Sequence, residues 1–363
     1  MGWRCGLIGL PNAGKTTIFN ALTSARAETA VYPFSTISPN TGVVPVPDER
    51  LAKLGELLKP QKLTPTSIEF VDVAGLIAGA SRGEGLGNQF LAHIRDVDLL
   101  VHVVRCFQAA DCPHPLSSLD PVRDVEVVET ELLLADLEII GRQQVKSAKR
   151  SKSGDKNAAA ALAALNKIAQ ALNQGVWARE VTLTPGEVEH LKNVPLLTGK
   201  PYLFVANLSE AEWPEGPHYQ ALQQLGAARR VPVVPILGDL EAELLELPVE
   251  ERQEFLASLH LSEPGITRLI RESYNLLNLV TFYTIVGPEV RAWTVPAHTK
   301  APKAAGQVHS DMEKGFIRAE VMDFRDLARL GSPAKIKEAG LLHVEGRDYV
   351  IKDGEVLYFR FQR

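Results

Sequence analysis

A chain of 363 residues is too long for one ordinary hydrophobic core, so two or three domains are expected. Its 45% hydrophobic content suits globular packing, no stretch is apolar and uncharged for long enough to cross a bilayer, and a net charge of −5 argues against a chain-wide polyanion binder. The start runs straight into a strand, without a secretory signal, and the sparse Cys5, Cys106 and Cys112 lack metal spacing; free thiols in a reducing cytoplasm are expected, a Cys106–Cys112 redox pair being the minor alternative.

The first predicted element is the apolar strand Arg4–Ile8. Gly9-Leu10-Pro11-Asn12-Ala13-Gly14-Lys15-Thr16 follows, then a helical start from Thr17 to Leu22. This is G-x-x-x-x-G-K-[ST] in the context it needs, between a strand and a helix. Glycines let the loop curl until its N–H groups face a phosphate, and the helix N-terminus adds positive potential. Asn12, Ala13, Gly14, Lys15, Thr16 and Thr17 are therefore expected to surround the phosphates of a nucleotide. Lys15 is expected on the β- and γ-phosphates and the Thr16 hydroxyl on Mg²⁺.

Two further segments point to a γ-phosphate sensor. Tyr32-Pro33-Phe34-Ser35-Thr36 offers Thr36 as a second metal hydroxyl. The strand Ile68–Val71 runs into Asp72-Val73-Ala74-Gly75, where Asp72 is expected to hold Mg²⁺ through water and the Gly75 N–H to meet the γ-phosphate. The glycine-rich stretch Gly79–Asn88 reads as mobile, and two such loops on one phosphate form a switch. Leu76 stands where many switch GTPases place a glutamine that orients water, so intrinsic hydrolysis is expected to be slow.

The strand Leu99–Val104 carries His102, read as a packed core residue. After it, Cys112-Pro113-His114-Pro115 offers His114, either as a polariser of water or as an ordinary surface histidine. From Val122 to Pro201 the pattern becomes helical. Val125–Arg150 and Asp155–Gln174 read as two amphipathic helices joined by the turn Ser151–Gly154, an antiparallel arm inserted into the nucleotide domain. Lys146, Lys149, Arg150 and Lys152 near its tip are either a solvated helix end or a patch for RNA.

The strands Tyr202–Ala206 and Val231–Ile236 complete a set of near-continuous apolar runs. Such runs are those of a mostly parallel sheet covered on both faces, hence an α/β fold. The first of them ends in Asn207-Leu208-Ser209-Glu210, where guanine-reading switches carry N-K-x-D. An Asp at the fourth position takes both guanine donors; Glu210 is a methylene longer, and Leu208 replaces the lysine that covers the base. The Asn207 amide suits adenine N6 and N7. ATP is expected over GTP, a degenerate motif with weak GTP binding being the alternative. Beyond, Leu279–Val286 and Glu289–Val295 read as a hairpin about Gly287-Pro288, followed by a helix near Lys335–Ala339 and strands Tyr349–Lys352 and Val356–Arg360 joined by Asp353-Gly354. Phe282, Tyr283 and Trp293 there are read as core rather than as stacking platforms.

Together Gly9–Thr17, Tyr32–Gly42, Asp72–Asn88, Asn207–Glu210 and the C-terminal segment resemble the YchF/Obg-like ATPase family, a branch of the TRAFAC P-loop NTPases in the Obg superfamily. The resemblance spans essentially the whole chain. It implies a P-loop NTPase (Obg-type G) domain over 1–121 and 202–278, an inserted helical arm over 122–201, and a C-terminal β-grasp TGS domain over 279–363. It implies a Mg²⁺-dependent ATPase with weaker GTP use, acting as a cytoplasmic monomer. The implied partners are the large ribosomal subunit or the whole ribosome, with rRNA or tRNA as further partners and no membrane. It adds weight to His114, and it raises K⁺ held by Asn12 as an alternative to a plain turn role for that residue. A nucleotide-gated protein scaffold or a GTPase with incidental hydrolysis is the competing reading. A small-molecule kinase ranks below both, because no acceptor base or substrate lid stands out.

Overall fold

The structure is a computed structural model and describes residues 2–24, 40–73 and 94–362. The chain divides into two compact units, Met1–Val43 with Glu69–Leu269, and Val44–Ile68 with Ile270–Arg363.

The first unit is built on parallel strands. β1 (Arg4–Ile8) lies between β4 (Ser67–Asp72) and β5 (Leu99–Cys106), and β6 (Tyr202–Leu208) and β7 (Val233–Leu237) extend the sheet beyond β5. Every residue of β5 and β6 is buried. That is why both read as unbroken apolar runs: helices cover the two faces, and no position is left for a polar alternation. His102 is a core residue at 3% exposure, edge-on to Phe204.

The long helix Pro121–Lys152 starts under Asp120, whose carboxylate accepts the Arg123 N–H at 3.1 Å, with Pro121 in the first turn. Its two halves do different work. Val125, Val128, Leu132 and Ala135 are fully buried in the core of the sheet unit. Ile140, further on, packs with Leu165, Ile168 and Leu172 of the helix Lys156–Asn173. Asp155 caps that second helix through the Ala158 N–H (3.0 Å) and pairs with Arg150 across the turn (2.8 Å). The arm is thus rooted in the core of the nucleotide unit, and both belong to one compact unit. The sequence reading gave 122–201 as an arm inserted into the nucleotide domain; helical periodicity records which face is apolar and is blind to what covers it, so the depth of the root in the core was not legible.

The second unit holds a sheet ordered β11 (His343–Glu345), β10 (Phe316–Asp323), β12 (Glu355–Phe361), β8 (Leu279–Val286), β9 (Glu289–Pro296) and β3 (Lys62–Thr64). β8 (Leu279–Val286) and β9 (Glu289–Pro296) form the expected hairpin, with Gly287 at φ +57° in the turn. Two differences from the sequence reading stand out. Tyr349–Lys352 makes no strand with β12 (Glu355–Phe361). Val350 forms an isolated bridge to Lys300, while β12 pairs antiparallel with β10 (Phe316–Asp323) and parallel with β8. The carboxylate of Glu355 takes the Lys352 N–H (3.0 Å) and the Tyr349 hydroxyl, turning that segment away from a hairpin. Second, Val44–Ile68 folds with this unit and not with the nucleotide unit. β3 (Lys62–Thr64) adds to β9 in parallel, and the helix Glu49–Leu58 buries Leu51 and Leu54 beside Tyr283, Val290 and Ile336. A three-residue strand has no readable period, so the excursion left no local trace. Phe282 and Tyr283 are fully buried, as read, and the Trp293 indole donates to Thr284 Oγ1 at 2.9 Å. Cys5, Cys106 and Cys112 form no disulfide. Burial pushes the Cys106 thiol well above its ordinary range, which makes it a poor redox partner.

Candidate nucleotide site

The phosphate loop joins β1 to the helix α1 (Lys15–Ser24), and two glycines in it are required by space. Gly9 has φ +147°, and a Cβ there would stand 2.3 Å from the Val103 carbonyl oxygen. Gly14 has φ +90°, and a Cβ would stand 2.0 Å from Asn207 Nδ2. Both are backbone positions an L side chain rarely adopts, and both are closed by neighbours. Asn12 occupies the left-handed region at φ +62°. The first helical bond runs from Ile18 N–H to the Gly14 carbonyl (3.0 Å), which leaves the earlier N–H groups outside the helical ladder, at the end of the helix where an anion is favoured.

Lys15 is buried, at 7% exposure, and its ammonium donates to the carbonyls of Leu10 (2.8 Å) and Gly9 (3.2 Å). Burial lowers its pKa to about 8, the nearby Asp72 offsetting part of that effect. The Thr16 hydroxyl donates to Asp72 Oδ2 at 2.9 Å. So the end of β4 and the start of α1 bring two hard oxygen donors together, a set that fits Mg²⁺ with nucleotide oxygens completing the shell. Among the described residues, no group of three or more His, Cys, Asp or Glu side chains forms a metal site on its own. Thr17 is exposed on the first turn of α1. Thr36 and Gly75, with Leu76, lie outside the described residues.

The base-reading residues fall apart into different places. Asn207 is buried at 4% exposure, and its Nδ2 donates to the Ala13 carbonyl (3.0 Å), bracing the phosphate loop against β6. Leu208 is 3% exposed and packs in the core with Leu10, Cys106 and Leu237, where it cannot stand over a base as a lysine stem does. Glu210, just past the strand, is exposed. The sequence spacing was that of a contact motif, but on a strand buried along its whole length the second residue packs into the core.

The loop after β5 is tied to the phosphate loop. The Asn12 side chain donates to the Pro113 carbonyl at 3.1 Å, an attachment that accounts for Asn12 without K⁺. Arg105, buried at 4% exposure, donates to the carbonyls of Phe107 (3.0 Å) and Cys112 (2.8 Å) and stacks on the Phe107 ring at 4.5 Å. The His114 side chain is largely covered: its Nε2 lies 2.7 Å from Asp124 Oδ2, and its Nδ1 lies 3.1 Å from the Leu116 nitrogen. It shares a small cavity with Leu10, Pro11 and Ala13 of the phosphate loop. Sequence reading found His114 but neither Arg105 nor Asp124. An arginine closing the apolar run of β5 was the available signal for the first. For Asp124 there was none beyond an acid in a first helical turn, which is ordinary capping chemistry.

A parallel α/β sheet whose first loop carries these glycines, this lysine and a Thr–Asp pair defines a P-loop nucleoside triphosphatase. A family model described as "50S ribosome-binding GTPase" matches residues 4–146, and the YchF GTPase C-terminal family model, described as a protein of unknown function, matches residues 279–362. The chain is 48% identical to a ribosome-binding ATPase YchF of Haemophilus ducreyi, over 99% of each chain. It is 46% identical to one of Bacillus subtilis, over 99% of this chain and 100% of that one. The solved YchF GTPase of Schizosaccharomyces pombe superposes with a TM-score of 0.88 at 32% identity, covering 99% of this chain and 98% of that chain. The chain belongs to the YchF family.

Proposed function

We propose that this protein is a Mg²⁺-dependent ATPase switch of the cytoplasm that binds the ribosome and uses GTP less well than ATP. One observation carries the reading. A phosphate loop with Lys15 on its own carbonyls and Thr16 bonded to Asp72 is followed, at the end of β6, by Asn207-Leu208-Ser209-Glu210 in place of a guanine-reading motif. Relatives named ribosome-binding ATPases, aligned end to end, support the same activity and partner.

The chemistry assigns roles from the loop outward. Main-chain N–H groups of the loop and Lys15 bind and orient the triphosphate tail. Thr16 and Asp72 hold the Mg²⁺, which neutralises charge developing on the phosphoryl oxygens when it is bound. Thr36 and Gly75 belong to the loops that feel the γ-phosphate. His114 orients the attacking water in place of the missing glutamine. On the ribosome side, Lys146, Lys149, Arg150 and Lys152 are exposed at the arm tip except for the Arg150–Asp155 pair, and they suit RNA phosphates.

The test is a side-by-side titration of ATP and GTP, with and without ribosomes. The protein is expected to sediment with ribosomes and to be released as salt rises, log affinity falling linearly with log salt concentration. Sedimentation independent of ribosomes would overturn the partner. Base choice has its own test. Glu210→Asp is expected to raise GTP affinity relative to ATP about tenfold, because a shorter carboxylate meets both guanine donors and such bidentate pairs are worth about 1–3 kcal/mol. An unchanged ratio in competition binding would remove Glu210 from base reading. Leu208→Lys is unsuited to this test, since it would bury an ammonium in the core.

A further inference from the structure

The surroundings of His114 contain more than a loop histidine needs. The Leu116 N–H donates to Nδ1 (3.1 Å), so the neutral ring carries its proton on Nε2, and that N–H donates to Asp124 Oδ2 (2.7 Å). The other carboxylate oxygen, Oδ1, accepts from Arg123 at 2.9 Å. The His114 and Asp124 side chains are 7% and 4% exposed. In this arrangement both ring nitrogens are engaged, so His114 can take a proton only after one bond opens.

The two bonds are unequal. The contact with Asp124 is to an ionised group and is about twice as strong as a neutral hydrogen bond. Opening it would also leave a buried carboxylate oxygen without its donor. The Leu116 contact is neutral on both sides and is the one that yields. What remains is an imidazole with a free Nδ1 lone pair, its opposite N–H held by a carboxylate that stabilises the imidazolium as it forms.

We propose that Asp124, from the first turn of the arm helix, is the positioning residue of the hydrolytic step: it holds His114 Nε2–H so that Nδ1 acts as the base toward the attacking water. The proposal rests on His114 being the water-orienting group. In the step, the water oxygen bonds to the γ-phosphorus and the bond from that phosphorus to the β,γ-bridging oxygen breaks, its electron pair leaving on ADP. The water proton goes to His114 Nδ1 and passes on to the inorganic phosphate, so ATP and water give ADP and phosphate with nothing left over. Because Asp124 sits at the root of Pro121–Lys152, the same helix that carries the basic tip also fixes the base.

Among the described residues, the groups facing the ring are few. The arm helix contributes Asp124 and Arg123. β5 contributes Arg105, engaged with carbonyls, and His102, whose pKa burial lowers to about 3 so that it stays neutral. The phosphate loop contributes only Leu10, Pro11 and Ala13 to this cavity.

The experiment compares ribosome-stimulated ATP turnover of the full chain, Asp124→Asn and His114→Ala, from pH 5 to 9. Asparagine still accepts from Nε2–H but carries no charge. Asp124→Asn is expected to lower kcat about tenfold or more, leave KM and ATP affinity within about twofold, and move the acid limb toward lower pH. His114→Ala is expected to lose at least as much rate and to lose that limb. Should His114→Ala turn over normally, the histidine reading itself falls. Should it be slow while Asp124→Asn keeps the wild-type rate and limb, or runs faster, only the role of Asp124 is overturned. If Asp124→Asn does not fold, the wild-type ring decides: nitrogen chemical shifts of His114 should show the Nε2–H tautomer with and without a non-cleavable ATP analogue, and an Nδ1–H tautomer would overturn the proposal.

Discussion

Lys15→Ala is expected to weaken ATP binding by about a hundredfold or more while leaving the nucleotide-free protein folded. The ammonium is buried and, among the described residues, donates to two loop carbonyls, so bound phosphates would give it far stronger acceptors. Hydrogen bonds involving a charged group are worth about 1.5–3 kcal/mol, and two of them account for the factor. Removing the side chain also removes a buried charge whose lowered pKa records the cost of desolvation, so the apo protein does not depend on it. Calorimetric titration checks the affinity and thermal melting the fold. Near-normal affinity would contradict the loop assignment.

The same residue sets a pH dependence. With a pKa of about 8 in the folded chain against the usual 10.5, Lys15 is charged below pH 8 and loses its proton above it. ATP favours the charged form, so affinity is expected to be flat below that point and to fall by up to tenfold per pH unit above it. Apo stability moves the other way. Between about 8 and 10.5 the unfolded chain binds more protons than the folded one, so the unfavourable contribution of Lys15 shrinks as pH rises. Replacing Lys15 should abolish both trends.

The second large effect is expected at the root of the arm. Asp136 is fully buried on the helix Pro121–Lys152, and its carboxylate accepts the N–H groups of Leu197 (2.8 Å) and Thr198 (2.8 Å) and the Thr198 hydroxyl (2.6 Å). It therefore locks the segment returning from the arm onto the helix that left the core. Asp136→Ala leaves three donors without their acceptor, each costing about 1–3 kcal/mol before relaxation, so a loss of about 3–5 kcal/mol is expected in urea unfolding. Thr198→Val keeps the carboxylate but removes one of its donors and the acceptor of the Ala178 N–H (3.3 Å), and should cost about 2 kcal/mol. A loss below 1 kcal/mol for Asp136→Ala would mean that the junction is held by packing alone, through residues such as Val128 and Leu132.

What could be read without coordinates was what is contiguous along the chain. Residues 9–16 carry their own conformation and chemistry, because a glycine with positive φ, a lysine and a hydroxyl at fixed spacing leave few alternatives. The buried strands and the two arm helices were legible from periodicity, which is set by which faces lose water. By contrast, the Val44–Ile68 excursion rests on pairing between residues more than two hundred positions apart, as with Thr64 and Glu289. Leu208 shows the same limit at one residue: its place in a motif suggested a base contact, and its place on a covered strand put it in the core.

By itself the chain order determined the phosphate-loop turn between β1 and α1, since a turn needs only its own neighbours to form. Tertiary structure alone decided that Asn207 braces that loop, that the arm grows from the nucleotide unit's core, and that His114 is held by an acid ten residues away on another element. Those contacts form when hydrophobic burial packs separate segments together, and side-chain hydrogen bonds are then made with whatever partner that packing brings within reach.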